Sequence, residues 1–437
     1  MTPGKSLMQV HQQTSEHSDA IDLMVNMGPQ HPSTHGVFRL VIWVDGERIV
    51  RVEPHIGYLH RGSEKICESE QYNQIVTLFD RLDYVGNLNN ELAFCLAVEK
   101  LTETVVPERA EYIRVILCEL NRIASHMLFY GVYGLDAGAT TPMLYGFRER
   151  ERVQELFESV TGARMMHNYI RIGGVKEDVP ADFEKNVRKL LDDLKQGVEE
   201  CDSLLSQNEM FLARTKGVGV ISGDEALDYG VTGPALRASG VVEDVRVTDP
   251  YSIYERFDFG IPVGSMGDCW DRYFVRVEEM RESIKIIEQA LSELPKGEIS
   301  AKVRRMVRPP AGDVFIRTES PRGDLGVYIV SDGSDKPYRV KVRPPSFANL
   351  QALEYMLKDT YIADAVLVLG GLGFLGLGLP ENIPEWGSDL NMALVALPTG
   401  IWWTAIYPGM AMFVLVLGLS FIGEGLEKFI SETGLQD

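Results

Sequence analysis

Between positions 271 and 294 the side chains Tyr273, Val277, Met280, Ile284, Ile287, Leu291 and Leu294 recur at alternating four- and three-residue steps, with charged residues between them. Steps of that size lay one apolar stripe along a helix, and a stripe this long is stable only when other helices cover it. Helical patterning also runs over 89–101, 109–130, 145–161 and 181–206, which predicts a helical core packed around shared apolar faces. The 437 residues, 45% hydrophobic and 24% charged, are enough for such a core. That balance belongs to a globular chain, not to a disordered one or a polytopic membrane bundle.

Small sheets are expected around the core. VFRLVIWV at 37–44 leads into Asp45-Gly46, and RIVRVE at 48–53 alternates again, the pattern of a β-hairpin. After Leu294 the Pro-rich, locally basic stretch PKGEISAKVRRMVRPPAGD reads as a connector. Short strands then return at 313–318, 326–330 and 338–342, with a Ser331-Asp332-Gly333 turn, followed by a helix at 349–358 and an apolar strand at 365–369. The fold class is therefore α+β, mainly helical. Residues 1–21 lack the basic start and apolar stretch of a secretory signal and are expected to be a disordered lead-in.

Charge and cysteine usage exclude several functions. Lys+Arg 43 against Asp+Glu 63 leaves a net charge of −20, so the average surface repels phosphate backbones and nucleic acid is not an expected partner. Five cysteines, none in a C-x-x-C pair, argue against a disulfide framework or a self-contained zinc or iron–sulfur site, and fit a reducing compartment. All eight histidines fall within the first 167 residues, which assigns any imidazole chemistry to that part of the chain. His31 and His35 are four apart, but the prolines and glycines of GPQHPSTHG impose a loop, so these imidazoles suit hydrogen bonding at a site mouth better than metal chelation. Gly371-x-Gly373-x-x-Gly376 matches a dinucleotide fingerprint in form, yet no helix pattern follows it and no acid closes a second strand. Tyr84 and Asp136, taken alone, read as a core-edge tyrosine and a turn residue.

The C-terminal segment differs from the rest. No charged residue occurs from 391 to 423, and GIWWTAIYPGMAMFVLVLGLSFI at 400–422 is long enough to cross a bilayer, with Trp402, Trp403 and Tyr407 near one end. It reads as one transmembrane helix, kinked at Pro408.

GPQHPSTHG, EPHIGYLHRGSEK, FDRLDYVGN, RVILCELNRIASH, GLDAGATTP, HNYIRIGGVKED, LRASGV, GDCWDRYFVRVEEMRES and GVYIVSDGSDKPYRVKVRPPSF occur in this order. Over about residues 22–372 the chain thereby resembles the D-subunit family of NADH-quinone oxidoreductase, respiratory complex I. That family looks like the large subunit of nickel–iron hydrogenases without its metal, and the resemblance implies the same bundle with small antiparallel sheets. It implies one component of a proton-translocating enzyme, inactive as an isolated chain, in the peripheral arm on the cytoplasmic side of the cell membrane. The B, C, H and I subunits are the implied partners, and NAD(H) is met only indirectly. With the B subunit the chain would form the quinone chamber; a [4Fe–4S] cluster would sit in that partner, and this chain would bind no metal or cluster itself. By motif, His35 and Tyr84 would hydrogen-bond the quinone carbonyls, Asp136 would pair with His35, and Arg61, Met166 and His167 would lie near the partner's cluster.

Two departures from the family pattern stand out. Many members carry histidine where Met166 stands; a thioether donates no hydrogen bond, which implies a lower cluster potential and suits menaquinone more than ubiquinone. The family's own C-terminal ending is also missing. Residues 373–437 instead resemble the last segment of a dipeptide or oligopeptide ABC-transporter permease, which implies a membrane-anchored fusion or a chimera. A hydrogenase-like catalyst is disfavoured by the cysteine inventory, and transport by the lone tail is implausible because the rest of a permease is missing.

Overall fold

The N-terminal part is a sheet. Strands β1 (Gln12–Thr14), β2 (Ile21–Met27), β3 (Arg39–Asp45) and β4 (Arg48–His55) pair antiparallel in that order. The computed structural model describes residues 12–14, 21–29 and 37–373. β3 and β4 are the expected hairpin, turning at Gly46 with φ 60, a conformation glycine adopts without steric cost. Leu40, Ile42 and Val44, two residues apart along β3, are buried in the core. Within the expected lead-in, Gln12–Thr14 forms the outer strand of this sheet.

The helices follow. α1 (Ser63–Cys67) and α2 (Tyr72–Phe79) lead to α3 (Asn87–Thr102), α4 (Glu108–Asp136) and α5 (Thr141–Thr161). A minimal hairpin of β5 (Ile170–Arg171) and β6 (Gly174–Val175) precedes α6 (Phe183–Leu205). Four short helices come next: α7 (Glu209–Thr215), α8 (Gly223–Asp228), α9 (Pro234–Ala238) and α10 (Val245–Thr248). The striped segment is α11 (Cys269–Ser292), opened by the Asp268 carboxylate accepting from the Asp271 amide at 2.8 Å. Its stripe from Tyr273 to Leu291 is buried.

β7 (Gly312–Ser320), β8 (Gly323–Ser331) and β9 (Arg339–Arg343) form an antiparallel sheet, and α12 (Pro345–Asn349), α13 (Leu353–Leu357) and α14 (Ala365–Gly371) close the described chain. The helix expected at 349–358 is therefore split, with a 3-10 turn Leu350–Ala352 between α12 and α13. The strand expected at 365–369 is instead the helix α14. A short run that is apolar throughout carries no period to separate the two, and here every residue from Leu367 to Leu372 is buried, so packing on all sides selects the helix. This also removes the strand that a dinucleotide fingerprint needs before its glycines.

α4 is the central element, packed against α3, α5, α11 and α14. It runs past the expected 109–130 to Asp136, because contacts with α5 outweigh the poor helix propensity of Gly131 and Gly134. Its buried face is charged as well as apolar. Arg114 pairs with Glu99 at 2.6 Å, Arg122 with Glu119 at 3.1 Å, and His126 with Glu279 at 2.9 Å. Glu279 and Glu319 both hold Arg237, at 2.7 and 2.9 Å. The arginine–carboxylate pairs among these are matched buried charges, and removing one partner of such a pair typically costs about 3–5 kcal/mol.

All five cysteines are buried and unpaired. Among the described residues no group of His, Cys, Asp and Glu is arranged to hold a metal ion, and no helix is long and apolar enough to cross a membrane. The span expected at 400–422, with the rest of 374–437, lies outside the described residues.

Candidate functional site

Tyr84 sits on the short segment between α2 and α3, half-buried. Its neighbour Asp83 fixes that segment. One Asp83 carboxylate oxygen accepts from the Val85 amide at 3.1 Å, its carbonyl accepts from Asn90 Nδ2 at 3.1 Å, and its other carboxylate oxygen takes Arg322 Nε at 2.7 Å. Arg322 lies in the β7–β8 turn and also donates to the Gly373 carbonyl. Ser346 Oγ donates to the same carbonyl at 3.2 Å, and Arg276 Nη2 donates to the Gly371 carbonyl at 2.9 Å. The chain leaving α14 is thus pinned to the segment that carries Tyr84.

Asp136, the last residue of α4, is half-buried and lies beside α14. A Cβ built on Gly370 would lie 3.9 Å from Asp136 Oδ2. Gly370 also faces the Tyr133 ring and Gly371 faces Arg272, a close approach that larger side chains would block. Asp136 thus lies beside Gly370 of α14, and the Asp83–Tyr84 segment is tied through Arg322 to Gly373 just past that helix. Asp136 lines a cavity of about 470 Å³ with Val25, Met27, Leu135, Ile362 and Val366, an apolar wall with one carboxylate.

His35 lies outside the described residues, but both roots of its loop are fixed. Met27 pairs with Leu40 across β2 and β3, and Gly28 has φ +88 and packs so tightly that an added Cβ would lie 1.9 Å from the Phe38 carbonyl oxygen. The loop therefore leaves the sheet directly beside Met27, a wall residue of the cavity that holds Asp136.

A second group lies behind Tyr84. Arg61 is exposed and donates through Nη2 to the Arg81 carbonyl at 2.9 Å. Arg81 Nη1 is 3.8 Å from Asp80 Oδ2. Asn87, at the start of α3, donates from Nδ2 to Asp80 Oδ1 at 3.0 Å and to His167 Nδ1 at 2.6 Å. That makes Nδ1 the acceptor, and burial pushes His167 down to about 4, so the imidazole is neutral near pH 7. Met166 and Asn168 flank it at φ 56 and 45, a left-handed backbone that non-glycine residues adopt at a cost of roughly 1–2 kcal/mol. Arg61 and His167, with Met166 beside it, are thus linked through Arg81, Asp80 and Asn87 around one corner of α2 and α3.

Sequence reasoning missed Asp80, Asp83, Asn87, Arg276 and Arg322. A signal was present for one: the polar NLNNE run opens a helix whose next residues are apolar, and Asn87, Asn89 and Asn90 are all buried. Arg276 had none. It stacks 4.2 Å over the Phe129 ring, and burial, with Arg272 and Arg322 nearby, presses it down to about 9 although Glu279 pulls the other way.

A family model described as the 49 kDa subunit of respiratory-chain NADH dehydrogenase matches residues 136–377. A protein of Bacillus mycoides, named as the D subunit of NADH-quinone oxidoreductase, is 51% identical over 352 residues, covering 80% of this chain and 96% of that protein. Proteins of the same name from Clostridium beijerinckii and Dehalococcoides mccartyi are 51% and 52% identical over 351 and 350 residues, each aligned over 80% of this chain and 95% of the relative. The ordered motifs, the family match and near-complete coverage of these relatives agree: the chain belongs to the D-subunit family of NADH-quinone oxidoreductase, as one component of that enzyme.

Proposed function

We propose that this chain, with the B subunit of the complex, forms the chamber in which a proton-translocating NADH-quinone oxidoreductase reduces quinone. The observation that carries the reading is the cavity beside Asp136, walled by Met27 at the root of the His35 loop; Tyr84 is not among its lining residues, and its segment is tied through Asp83 and Arg322 to Gly373, past the far end of α14. Tyr84 and His35 hold the two quinone carbonyl oxygens, and Asp136 pairs with the His35 imidazole. Reduction to quinol consumes two electrons and two protons, and a phenol with a carboxylate-backed imidazole donates protons where charge builds on those oxygens. Neither Tyr84 nor His35 is a source of electrons. These arrive from a [4Fe–4S] cluster in the B subunit, with Arg61, Met166 and His167 on the side facing it.

In this reading the B, C, H and I subunits are the partners, and the chain sits in the peripheral arm on the cytoplasmic side of the cell membrane, on a metal-free scaffold like that of the nickel–iron hydrogenase large subunit. Residues 373–437, with their uncharged run, add a membrane anchor of permease origin. A source transcript that stops before this tail would remove the anchor and leave the quinone reading untouched.

Quinone reductase activity of the assembled complex tests the site. Tyr84→Phe and His35→Ala are expected to lower the rate by about 10²-fold or more at unchanged assembly. Wild-type rates in both overturn it.

A further inference from the structure

β7 is paired on one side only. Its sheet runs β7-β8-β9, which leaves the other edge of β7 without a strand. Main-chain groups along a strand alternate between its two edges. At Glu319 the outward pair is filled by side chains of this protein: its amide donates to Tyr251 Oη at 3.2 Å, and its carbonyl accepts from Arg122 Nη2 at 2.7 Å. Two and four residues earlier the outward pairs belong to Arg317 and Phe315. Among the described residues no other element donates to or accepts from these amides and carbonyls.

An open edge is a template for another strand, and proteins commonly blunt it with a bulge, a proline or a free charge. β7 pairs with β8 residue for residue from Gly312 to Ser320, without a register shift, and contains no proline. The Arg317 guanidinium is taken up by Asp324 at 3.4 Å and Asp249 at 3.7 Å. Beside the edge lies a cavity of about 530 Å³, walled by Phe315, Ile316 and Arg317, by Leu96 of α3, and by Val105 and Val106 of the α3–α4 connection. Val105 is 85% exposed and Phe315 50%. Unpaired main-chain groups and open apolar side chains thus meet at one place, the combination that strand addition uses: backbone bonds for affinity, a pocket for alternate side chains.

We propose that the β7 edge at 313–317 docks an extended segment of a neighbouring subunit, which joins the sheet as a fourth strand. Its main chain takes the outward amides and carbonyls of Phe315 and Arg317. Its alternate side chains are apolar and fill the cavity against Leu96, Val105 and Ile316. The paired stretch is short, because Tyr251 and Arg122 already occupy the edge at Glu319. The proposal needs only that this chain is one component of a larger enzyme, and it stands apart from the quinone reading.

Hydrogen–deuterium exchange of the assembled complex, read residue by residue, tests the proposal. The Phe315 and Arg317 amides are expected to exchange about tenfold or more slower than open amides. Phe315→Pro removes one outward N–H at a position where an edge strand tolerates proline. It should restore fast exchange at Arg317 while the Ile316 and Thr318 amides, which face β8, stay slow. Fast exchange at Phe315 and Arg317 in the wild-type complex, or slow exchange at Arg317 that survives Phe315→Pro, overturns the proposal. A photo-reactive amino acid placed at Val105 identifies the occupant: a link to another subunit is expected, and links confined to this chain or to a second copy of it overturn the assignment. If Phe315→Pro does not assemble, the wild-type amides and the Val105 link decide.

Discussion

Arg322 and Asp83 form an ion pair at 2.7 Å that ties the β7–β8 turn to the segment presenting Tyr84, although 239 positions separate them in the chain. Arg322 is buried and also holds the Gly373 carbonyl, so its guanidinium fixes both that segment and the chain leaving α14. Arg322→Gln is expected to cost roughly 2–3 kcal/mol of stability. Displacement of the phenol should lower quinone reduction by about ten- to a hundredfold. Thermal inactivation and steady-state rates check both, and a variant with normal turnover would show that Tyr84 is placed by other contacts.

Two glycines separate loop anchoring from simple backbone strain. At Gly46 φ is +60 with open space around the missing Cβ, so Gly46→Ala should cost only about 1 kcal/mol and leave activity intact. At Gly28 the new methyl group would meet the Phe38 carbonyl, so Gly28→Ala must shift the root of the loop that carries His35. A several-fold larger loss of quinone reductase activity in the Gly28 variant than in the Gly46 variant is the expected result.

Acid sensitivity follows from His126. Its Nε2 lies 2.9 Å from Glu279 Oε2, and burial pushes the imidazole down to about 4 despite that carboxylate. An unfolded histidine gains its proton near pH 6.5, the native one only near 4, so between those values the unfolded chain binds the extra proton and native stability falls as pH drops. The contribution lost is at most about 3 kcal/mol for this group, and His167 acts over the same window in the same direction. Denaturant midpoints at pH 7.5 and 5 should converge in His126→Gln relative to the wild type. Equal slopes in both would rule out this histidine as the cause.

Met166→His tests the proposed role of the corner formed by α2, α3 and His167. Histidine tolerates the left-handed backbone at this position better than methionine does, and it restores a hydrogen-bond donor. Potentiometric titration of the assembled complex should find the terminal carrier at a higher potential with a steeper pH dependence than in the wild type.

Long periodic segments were legible from sequence because one chemical stripe decides them: α11 and α5 lie where 271–294 and 145–161 predicted. What failed was decided by tertiary packing. The extension of α4 to Asp136 runs through two glycines, and α14 is helical despite a run without period. The site divided in the same way. Tyr84 and Asp136 were singled out through motifs, and Asn87 lay in a polar run that opens an apolar helix, whereas Arg322 acts through partners far away in the chain that no local pattern announces.

The thiols of this protein are all withdrawn from solvent. Burial pushes Cys67 and Cys201 up to about 12 and holds Cys95 and Cys118 well above the usual thiol range, which keeps these sulfurs in the form that reacts least with peroxide. Oxidation of cysteine to sulfenic acid or disulfide therefore finds little purchase on the folded protein.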